Sequence, residues 1–221
     1  MQPSVPIKPM LEKEGYPFKS KRHSKTLDIY QRLGRTESVV RYLGEATDKE
    51  PWSSSLSCPK SLRFQFDEGY TLRVSDKCCK RMKEEPLDKW AKENNKIYTI
   101  NGIMRSEGGR RFNAECLAFM GDRLKAFQPL APMTKEWEEW FIEKYNVELS
   151  KIYLSPYKLE RTGCKGCPFA RHLQEELDTL ERYFPEERKQ CEIIWKPVYE
   201  EYRRLNYRLK ENRQMKLEDY V

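Results

Sequence analysis

The sequence predicts a helix-rich α/β fold with a modest core, on three observations. Helical periodicities run through most of the chain, one short β-rich run stands out, and charged residues make up 35% of the 221 residues. Ordinary globular domains contain about 25% charged residues and about 45–50% apolar residues, whereas hydrophobic residues reach only 38% here. An aromatic content of 12% argues against wholesale disorder. The core is therefore expected to be small or to be completed by another chain.

The first 24 residues are interpreted as an N-terminal arm, because they contain four prolines and end in a basic cluster. Two amphipathic helices should follow, the first ending at Gly34 and the second at Gly44, since glycine is common just past a helix end. Residues 44–61 are rich in serine and proline and predict a loop.

The middle of the chain predicts two further helices and one strand. Ser75 or Asp76 can cap the first of these helices, and Pro86 fits the first turn of the second. The β-rich run Lys96–Ile100 predicts a short strand, which an Asn-Gly pair closes.

The C-terminal half predicts three helices. Thr134 can cap the first, which carries an aromatic stripe that is more often core than a base-stacking platform: Trp137, Trp140 and Phe141. A second amphipathic helix is expected over 173–184 and a long one from Pro185, which Pro197 should kink or interrupt.

Charge and cysteine content limit the function classes. The net charge of +7 is compatible with a nucleotide or a nucleic acid but diagnostic of neither. No stretch approaches ~18 consecutive apolar residues, so no membrane span is expected, and residues 1–13 do not resemble a secretion signal. Seven cysteines, an odd number, indicate cytoplasmic thiols or metal ligands and not a disulfide scaffold.

Two cysteine pairs are the strongest functional signal. Cys164 and Cys167 form a C-x-x-C in a loop, where two thiolates can converge on one metal. Cys78 and Cys79 are adjacent, and neighbouring side chains on a helix diverge by ~100°, so both can face one site only if it is a wide cluster or lies at the helix end. A 4Fe–4S cluster takes four cysteines; zinc is the second choice, and buried or reactive thiols are the third.

The remaining cysteines and the histidines carry weaker signals. Three cysteines without a comparable partner are expected to be small buried residues: Cys58, Cys116 and Cys191. The two histidines, His23 and His172, are distant in sequence and make no case for a histidine-based catalytic dyad.

A second candidate site follows the predicted strand. Arg105, Arg110 and Arg111 lie with Glu107 in a glycine-containing loop at the C-terminal end of that strand, and open α/β sheets bind ligands at that edge. Guanidinium groups suit bidentate contact with phosphate or sulfate. An anion or nucleotide site is therefore expected here, with a solvated basic turn as the alternative.

The runs SDKCCKRMKEEPL (75–87) and ERTGCKGCPF (160–169) resemble the phosphoadenosine phosphosulfate reductase family. More narrowly, they are similar to its branch in phages, mobile elements and DNA-phosphorothioation systems. The resemblance covers about residues 10–185. It implies a Rossmann-like domain of the adenine-nucleotide α-hydrolase type, in which the four paired cysteines hold one 4Fe–4S cluster. It also implies that Arg111, spaced from Glu107 as in the family, faces the anionic end of a nucleotide.

Two departures from the family lead us to expect an N-terminally truncated domain without an assigned catalytic residue. Family members open with a strand and a Ser-Gly-Gly-Lys-Asp-Ser phosphate-binding loop, and none of the ten glycines here lies in such a loop. Sulfonucleotide reductases also use a cysteine in a Glu-Cys-Gly-like motif near the C-terminus, whereas the last cysteine here, Cys191, has a different context.

Three segments are therefore expected: an arm (1–24), a sulfonucleotide-reductase-like iron–sulfur domain (25–184) and a C-terminal helical extension (185–221). The expected function is adenylate-dependent sulfur chemistry in the cytoplasm, on an adenine nucleotide or a sulfonucleotide. A second copy, or a chain supplying the missing phosphate-binding half, would complete the protein. The alternative is a non-catalytic binding protein that keeps the fold and the cluster and docks on a partner protein or nucleic acid.

Overall fold

The structure is a computed structural model that describes residues 5–45, 53, 56–108, 111–159 and 163–210. The chain forms two compact units. We call residues 1–86 with 159–221 the core unit and residues 87–158 the insert unit. In the described part of the chain, every helix is too short or too polar to cross a lipid bilayer.

Three helices open the core unit: α1 (Ile7–Glu14), α2 (Lys21–Leu33) and α3 (Glu37–Leu43). The Ser20 side chain accepts a hydrogen bond from the His23 N–H and begins α2. Gly34 and Gly44, both with φ of +73°, end α2 and α3. These two predicted helices and their ends are confirmed.

The N-terminal residues pack inward, which differs from the expected arm. Leu11 in α1 and Phe18 are fully buried. Tyr16 forms a parallel bridge with Val74. Pro9 does not prevent α1, because it lies in the first turn, where a backbone N–H has no intrahelical partner.

The adjacent cysteines lie at the start of one continuous helical run, where the sequence predicts two helices. A π-helical segment, Lys80–Glu84, leads directly into α4 (Glu85–Glu93). In the π turn the Glu85 N–H donates to the Lys80 carbonyl, five residues back. This shifted hydrogen bonding accommodates Pro86, which has no N–H to donate.

The insert unit contains a three-stranded mixed sheet in the order β1-β3-β2: β1 (Thr99–Ile100), β2 (Leu117–Met120) and β3 (Arg123–Phe127). Strand β1 pairs parallel with β3, and β2 pairs antiparallel with it. The predicted strand is confirmed, although it is only two residues long. The β2–β3 hairpin is absent from the sequence prediction; Gly121, with φ of +60°, forms its turn.

Helix α5 (Lys135–Lys144) begins as predicted, because the Thr134 hydroxyl accepts from the Trp137 N–H at 3.2 Å. The prediction that its aromatic stripe belongs to the core is wrong: Trp137, Trp140 and Phe141 are 37%, 47% and 38% exposed. These rings pack along the helix on one another, with 5.2 Å between the Trp137 and Phe141 centroids.

Two long helices complete the core unit: α6 (Leu173–Tyr183) and α7 (Pro185–Arg204). Both are confirmed, but α7 continues through Pro197 without the expected interruption. The segment expected as an extension supplies much of the core, since Trp195, Tyr199 and Tyr202 are almost completely buried. The two units also divide the chain at points other than the predicted borders. The helix-rich α/β class with a small sheet is confirmed.

Candidate metal centre and anion site

All four paired cysteines lie in the core unit, on two segments distant in sequence. Cys78 is buried, and Cys79, Cys164 and Cys167 are half-buried. The Cys78 thiol hydrogen-bonds to Cys79, which lowers the pKa of Cys79, and the positive charges of Lys21 and Lys83 lower it further. The same hydrogen bond, together with burial, raises the pKa of Cys78.

Cys167 connects the two cysteine segments electrostatically. Burial, with smaller contributions from negative charge on Cys164 and Cys79, raises its pKa to about 11. Charge on Cys167 in turn acts on Cys78. Cys78 belongs to the hydrophobic core of this unit, and Cys79 and Cys164 pack against the same core. The four thiols match a cysteine-ligated cluster in chemical type.

The thiols are not arranged as they would be around a bound metal. Among the described residues, no group of three or more Cys, His, Asp or Glu side chains is ready to hold a metal ion. Raised pKa values keep Cys78 and Cys167 protonated near neutral pH, so ligation would have to displace protons and draw the thiolates together. Cluster binding stays a prediction.

Helix α7 holds the C-x-x-C loop by its backbone. Three side chains on one helix face donate to three loop carbonyls: Trp195 Nε1 to Lys165 at 3.1 Å, the Tyr199 hydroxyl to Gly166, and the Tyr202 hydroxyl to Pro168 at 2.9 Å. Spacings of four and three residues place these donors on the same side of an α-helix. Each donor is buried, and losing Trp195 or Tyr199 would remove the hydrogen bond that the Lys165 or Gly166 carbonyl accepts from α7.

Gly166 allows this close approach. Its φ is +60°, and a Cβ there would lie 2.4 Å from the Tyr199 hydroxyl and 2.9 Å from the Cys191 sulfur. Any other residue would require the Tyr199 and Cys191 side chains or the loop to move. The glycine is visible in the sequence, but its necessity depends on a helix that begins 19 residues later.

The Cys78–Cys79 segment is held in place by contacts with the N-terminal helices α1 and α2. Glu14 in α1 pairs with Lys77 at 3.4 Å and with Arg81 at 2.9 Å, so ion pairs flank the two cysteines. These cations lower the pKa of Glu14 although burial opposes this. The side-chain amide of Gln31 bridges the Leu72 carbonyl and the Val74 N–H.

In the arginine loop of the insert unit, the arginine side chains contact neighbouring residues of the loop itself. Arg111 Nη1 lies 3.2 Å from Glu107 Oε1, and both side chains are exposed to solvent by 40% or more. Arg105 Nε donates to the Ala114 carbonyl. Arg110 lies outside the described residues. The Glu107 carboxylate thus competes with any anion for Arg111, and anion binding at this loop stays a prediction.

His23, for which the sequence predicts no catalytic role, is a fully buried residue. Its ring nitrogens lie 2.9 Å from the Tyr42 hydroxyl and 2.7 Å from Gln65 Oε1, and burial lowers its pKa to about 3. The ring is fully enclosed, so its role is structural. Of the cysteines expected to be buried, Cys58 and Cys191 are, and Cys116 is only half-buried.

A family model for the phosphoadenosine phosphosulfate reductase domain matches residues 53–170. The match covers more than half of the chain and includes both cysteine pairs and the arginine loop. No curated protein and no solved structure matches the chain.

Proposed function

Because the chain belongs to the phosphoadenosine phosphosulfate reductase family, we propose that it is an iron–sulfur protein of adenylate-dependent sulfur chemistry. The observation that carries this proposal is that both cysteine segments pack on one hydrophobic core, to which Cys78, Cys79 and Cys164 contribute. Charge on Cys79 acts on Cys167, and charge on Cys167 acts on Cys78, although 88 residues separate Cys79 from Cys167 in the chain. The family match supports the sulfonucleotide-related chemistry.

Cys78, Cys79, Cys164 and Cys167 would hold the cluster. When bound, a cluster would position or polarise the anionic group of a nucleotide. Cys79 has the lowered pKa and is the readiest of the hydrogen-bonded pair to ligate as thiolate, while Cys78 must release a proton first. The carbonyl contacts from α7 would keep Cys164 and Cys167 oriented while their thiolates converge.

The decisive experiment is anaerobic purification of the full chain, followed by an absorption spectrum and assays of iron, zinc and acid-labile sulfide. Brown protein with equal amounts of iron and sulfide is expected. Cys167→Ser should lose the colour and lower the melting temperature, because metal binding contributes to folding free energy. Cys116→Ser, a half-buried cysteine in the insert unit, is the matched control and should keep both. Colourless wild-type protein with one zinc per chain would contradict the proposal.

A specific observation favours a second proposal, namely that the protein docks on another chain. The insert unit exposes large apolar side chains on its sheet and loops, with Ile100, Phe112 and Met120 exposed by 72%, 70% and 65%. Three of the exposed apolar side chains, Ile100, Met120 and Phe127, lie on the one three-stranded sheet, and exposed apolar patches are typical of interaction sites. We propose that a second copy or a partner chain covers this surface. Such docking would also be compatible with the alternative function, a binding protein that does not catalyse a reaction.

Light scattering and melting curves at several protein concentrations test this docking. An oligomer, or a melting temperature that rises with concentration, is expected for a second copy. A monomer that turns over a sulfonucleotide unaided would contradict the need for any partner.

A further inference from the structure

The three-stranded sheet of the insert unit carries large apolar side chains on one face, which we call the open face: Ile100, Leu117, Phe119 and Phe127. The strand register places Ile100 next to Phe127 and Phe127 next to Leu117, so these side chains form one row across the three strands. Phe119 shares their face, because it lies two residues from Leu117 in β2. All four side chains are exposed, Phe119 by 57%. The open face is therefore a continuous apolar surface.

The opposite face of the sheet carries the small residues. Thr99 and Ala118 lie on either side of Ala126 there, and Ala126 is buried. An antiparallel sheet with one face in water ordinarily points its polar side chains towards the water. Here the large apolar side chains point outwards, so we expect the open face to be covered in the assembled protein.

Helix α5 carries an apolar ridge of similar size, formed by Trp137, Phe141 and by Tyr145, which directly follows the helix. The spacing of four residues places these rings on one side of the helix. The ring centroids of Trp137 and Phe141 are 5.2 Å apart, and those of Phe141 and Tyr145 are 4.6 Å apart. Trp140 lies beside this α5 ridge, with the Lys144 ammonium 4.5 Å from its ring centroid.

Helix α5 lacks the packing that a helix of its length requires. None of its ten residues is buried. A helix shorter than about 12–15 residues is only marginally stable in water by itself, and most helices in proteins are stabilised by packing an apolar face. The α5 ridge is therefore expected to pack on another surface.

The α5 ridge does not cover the open face of its own sheet, since both surfaces stay exposed within the insert unit. Backbone hydrogen bonds fix the connection between β3 and α5. The Gln128 N–H donates to the Cys116 carbonyl at 2.6 Å, and the Arg105 N–H donates to the Ala131 carbonyl at 3.2 Å. A second copy of the chain can supply the missing cover, because every copy carries both surfaces.

The charges of the two surfaces are complementary. Arg123 and Lys125 are the only charged residues of the three strands, and neither belongs to a salt bridge within the described residues. Helix α5 contains four glutamates and only two lysines. Because opposite charges favour one orientation of approach, a basic sheet suits an acidic helix.

The apolar area of the two surfaces is also close to what a stable dimer needs. At about 200 Å² for a large side chain, the exposed parts of the open face and the α5 ridge amount to roughly 700 Å² per chain. A stable complex of ordinary size buries about 800 Å² per partner, including a polar rim.

We propose that the protein forms a two-fold dimer in which the α5 ridge of each copy covers the open face of the other copy. This contact rests on the docking of the sheet proposed above, and it names a second copy of the chain as the partner. In a two-fold dimer every residue contact occurs twice, so the two covered faces are equivalent.

Sedimentation analysis of the full chain over a range of concentrations tests the dimer. Phe119→Lys on the open face and Phe141→Glu on the α5 ridge should each raise the dissociation constant about tenfold or more, since each change disrupts two symmetric contacts. Ile193→Lys is the matched control, because Ile193 is 58% exposed but lies on α7. This variant should associate as the wild type does, and circular dichroism checks that all three variants fold.

Mixing the two interface variants tests the reciprocal arrangement. In a mixed dimer, the unchanged ridge of the Phe119→Lys chain covers the unchanged open face of the Phe141→Glu chain, and the introduced opposite charges meet in the second contact. An equimolar mixture should therefore dimerise at a concentration at which each variant alone is a monomer. A mixture that stays monomeric where the wild type is a dimer would overturn the reciprocal contact.

A cross-linking measurement on wild-type protein needs no variant. Carbodiimide treatment of a mixture of unlabelled and isotopically labelled protein should couple Lys125 to carboxylates of α5 in peptide pairs that combine both labels. Lys135, which lies 2.9 Å from Glu138, should couple to it within one chain and serves as the internal control. Coupling of Lys125 to α5 only between peptides of the same label would show that the chain covers its own sheet, and would overturn the dimer.

Two further outcomes separate this contact from the docking on which it rests. An oligomer that Phe119→Lys dissociates and Phe141→Glu does not would overturn the reciprocal contact and leave docking through the sheet standing. A wild-type protein that is monomeric at every concentration would overturn the dimer and leave a different chain as the partner. Neither outcome bears on iron content, which tests the iron–sulfur function by itself.

Discussion

The core unit and the insert unit bury their side chains very differently. All of the largest fully buried side chains lie in the core unit, among them Trp195, Tyr199 and Phe18. In the described insert unit, only Met104, Ala126, Gln128 and Ala131 are buried, and exposed aromatic and aliphatic side chains are common. Elements that share one chain therefore differ in how much tertiary packing stabilises them.

This difference separates the two candidate sites. The cysteine segments lie on a packed framework, where α7 holds one segment and α1 and α2 hold the other. The arginine loop belongs to a unit whose sheet has three short strands, near the lower limit for independent stability. In the core unit, the backbone of the site is therefore expected to be held in place before any metal binds, although the thiolates must still converge. In the insert unit, a site is expected to form together with its ligand or partner.

The largest expected effect contrasts two tryptophans. Trp195→Ala removes a buried ring and its hydrogen bond to Lys165, so the free energy of unfolding should fall by about 3–5 kcal/mol. Trp140→Ala, on the exposed face of α5, should cost less than about 1 kcal/mol. Urea denaturation of both variants measures the contrast, and equal losses would refute the difference in packing.

The second expected effect is a pH dependence that originates in the core unit. The pKa of His23 is about 3 in the folded protein, because burial disfavours the charged ring, against about 6.5 when unfolded. His23 therefore contributes stability above pH 6.5, and this contribution is lost as the pH falls towards 3, by up to about 1.4 kcal/mol per pH unit. Denaturation of the wild type between pH 7 and pH 5 should show this loss.

Two histidine variants test whether His23 causes that pH dependence of stability. His23→Gln should flatten the fall in stability between pH 7 and pH 5, because Gln does not titrate. His172→Gln, at an exposed position beside Glu175, should leave the fall unchanged. A wild-type slope that persists in His23→Gln would assign the effect to other groups.

The third expected effect compares two glycines with the same backbone conformation. Gly166 and Gly121 both have φ of +60°, but only at Gly166 would a Cβ meet other atoms. Gly121→Ala should cost about 1 kcal/mol, the strain of a left-handed alanine. Gly166→Ala should cost clearly more, because Tyr199 or the loop must also move. Similar thermal denaturation of the two variants would show that the loop adapts easily.

The smallest expected effect concerns the arginine loop. The pair of Arg111 with Glu107 is exposed, so Glu107→Gln should change the free energy of unfolding by less than about 1 kcal/mol. Removing the competing carboxylate should strengthen binding of adenosine 5′-phosphosulfate if Arg111 contacts its anionic end. Arg111→Ala should weaken the same binding, and calorimetry in which neither change alters affinity would exclude the loop as an anion site.

Helix ends were predictable because their causes are local. Thr134 satisfies a backbone N–H three residues away, and Gly34 and Gly44 adopt a conformation that glycine permits by itself. The sequence does not predict the β2–β3 hairpin. Its strands have only four and five residues, and their side chains show little of the alternation between buried and exposed positions that marks a strand. The prediction that the aromatic stripe of α5 belongs to the core is wrong because periodicity shows which residues share a face and not what covers that face.

The sequence by itself determined the helix-rich α/β class, the family and the two cysteine pairs, because each depends on residue types at short fixed spacings. Only the tertiary structure decided how those pairs are supported. The carbonyl contacts from α7 to residues 165–168, and the meeting of Lys19 with Arg208, join segments 30 or more residues apart. Such contacts depend on which surfaces, distant in sequence, pack against each other when the chain folds. The spacing of residues along the chain does not determine that packing.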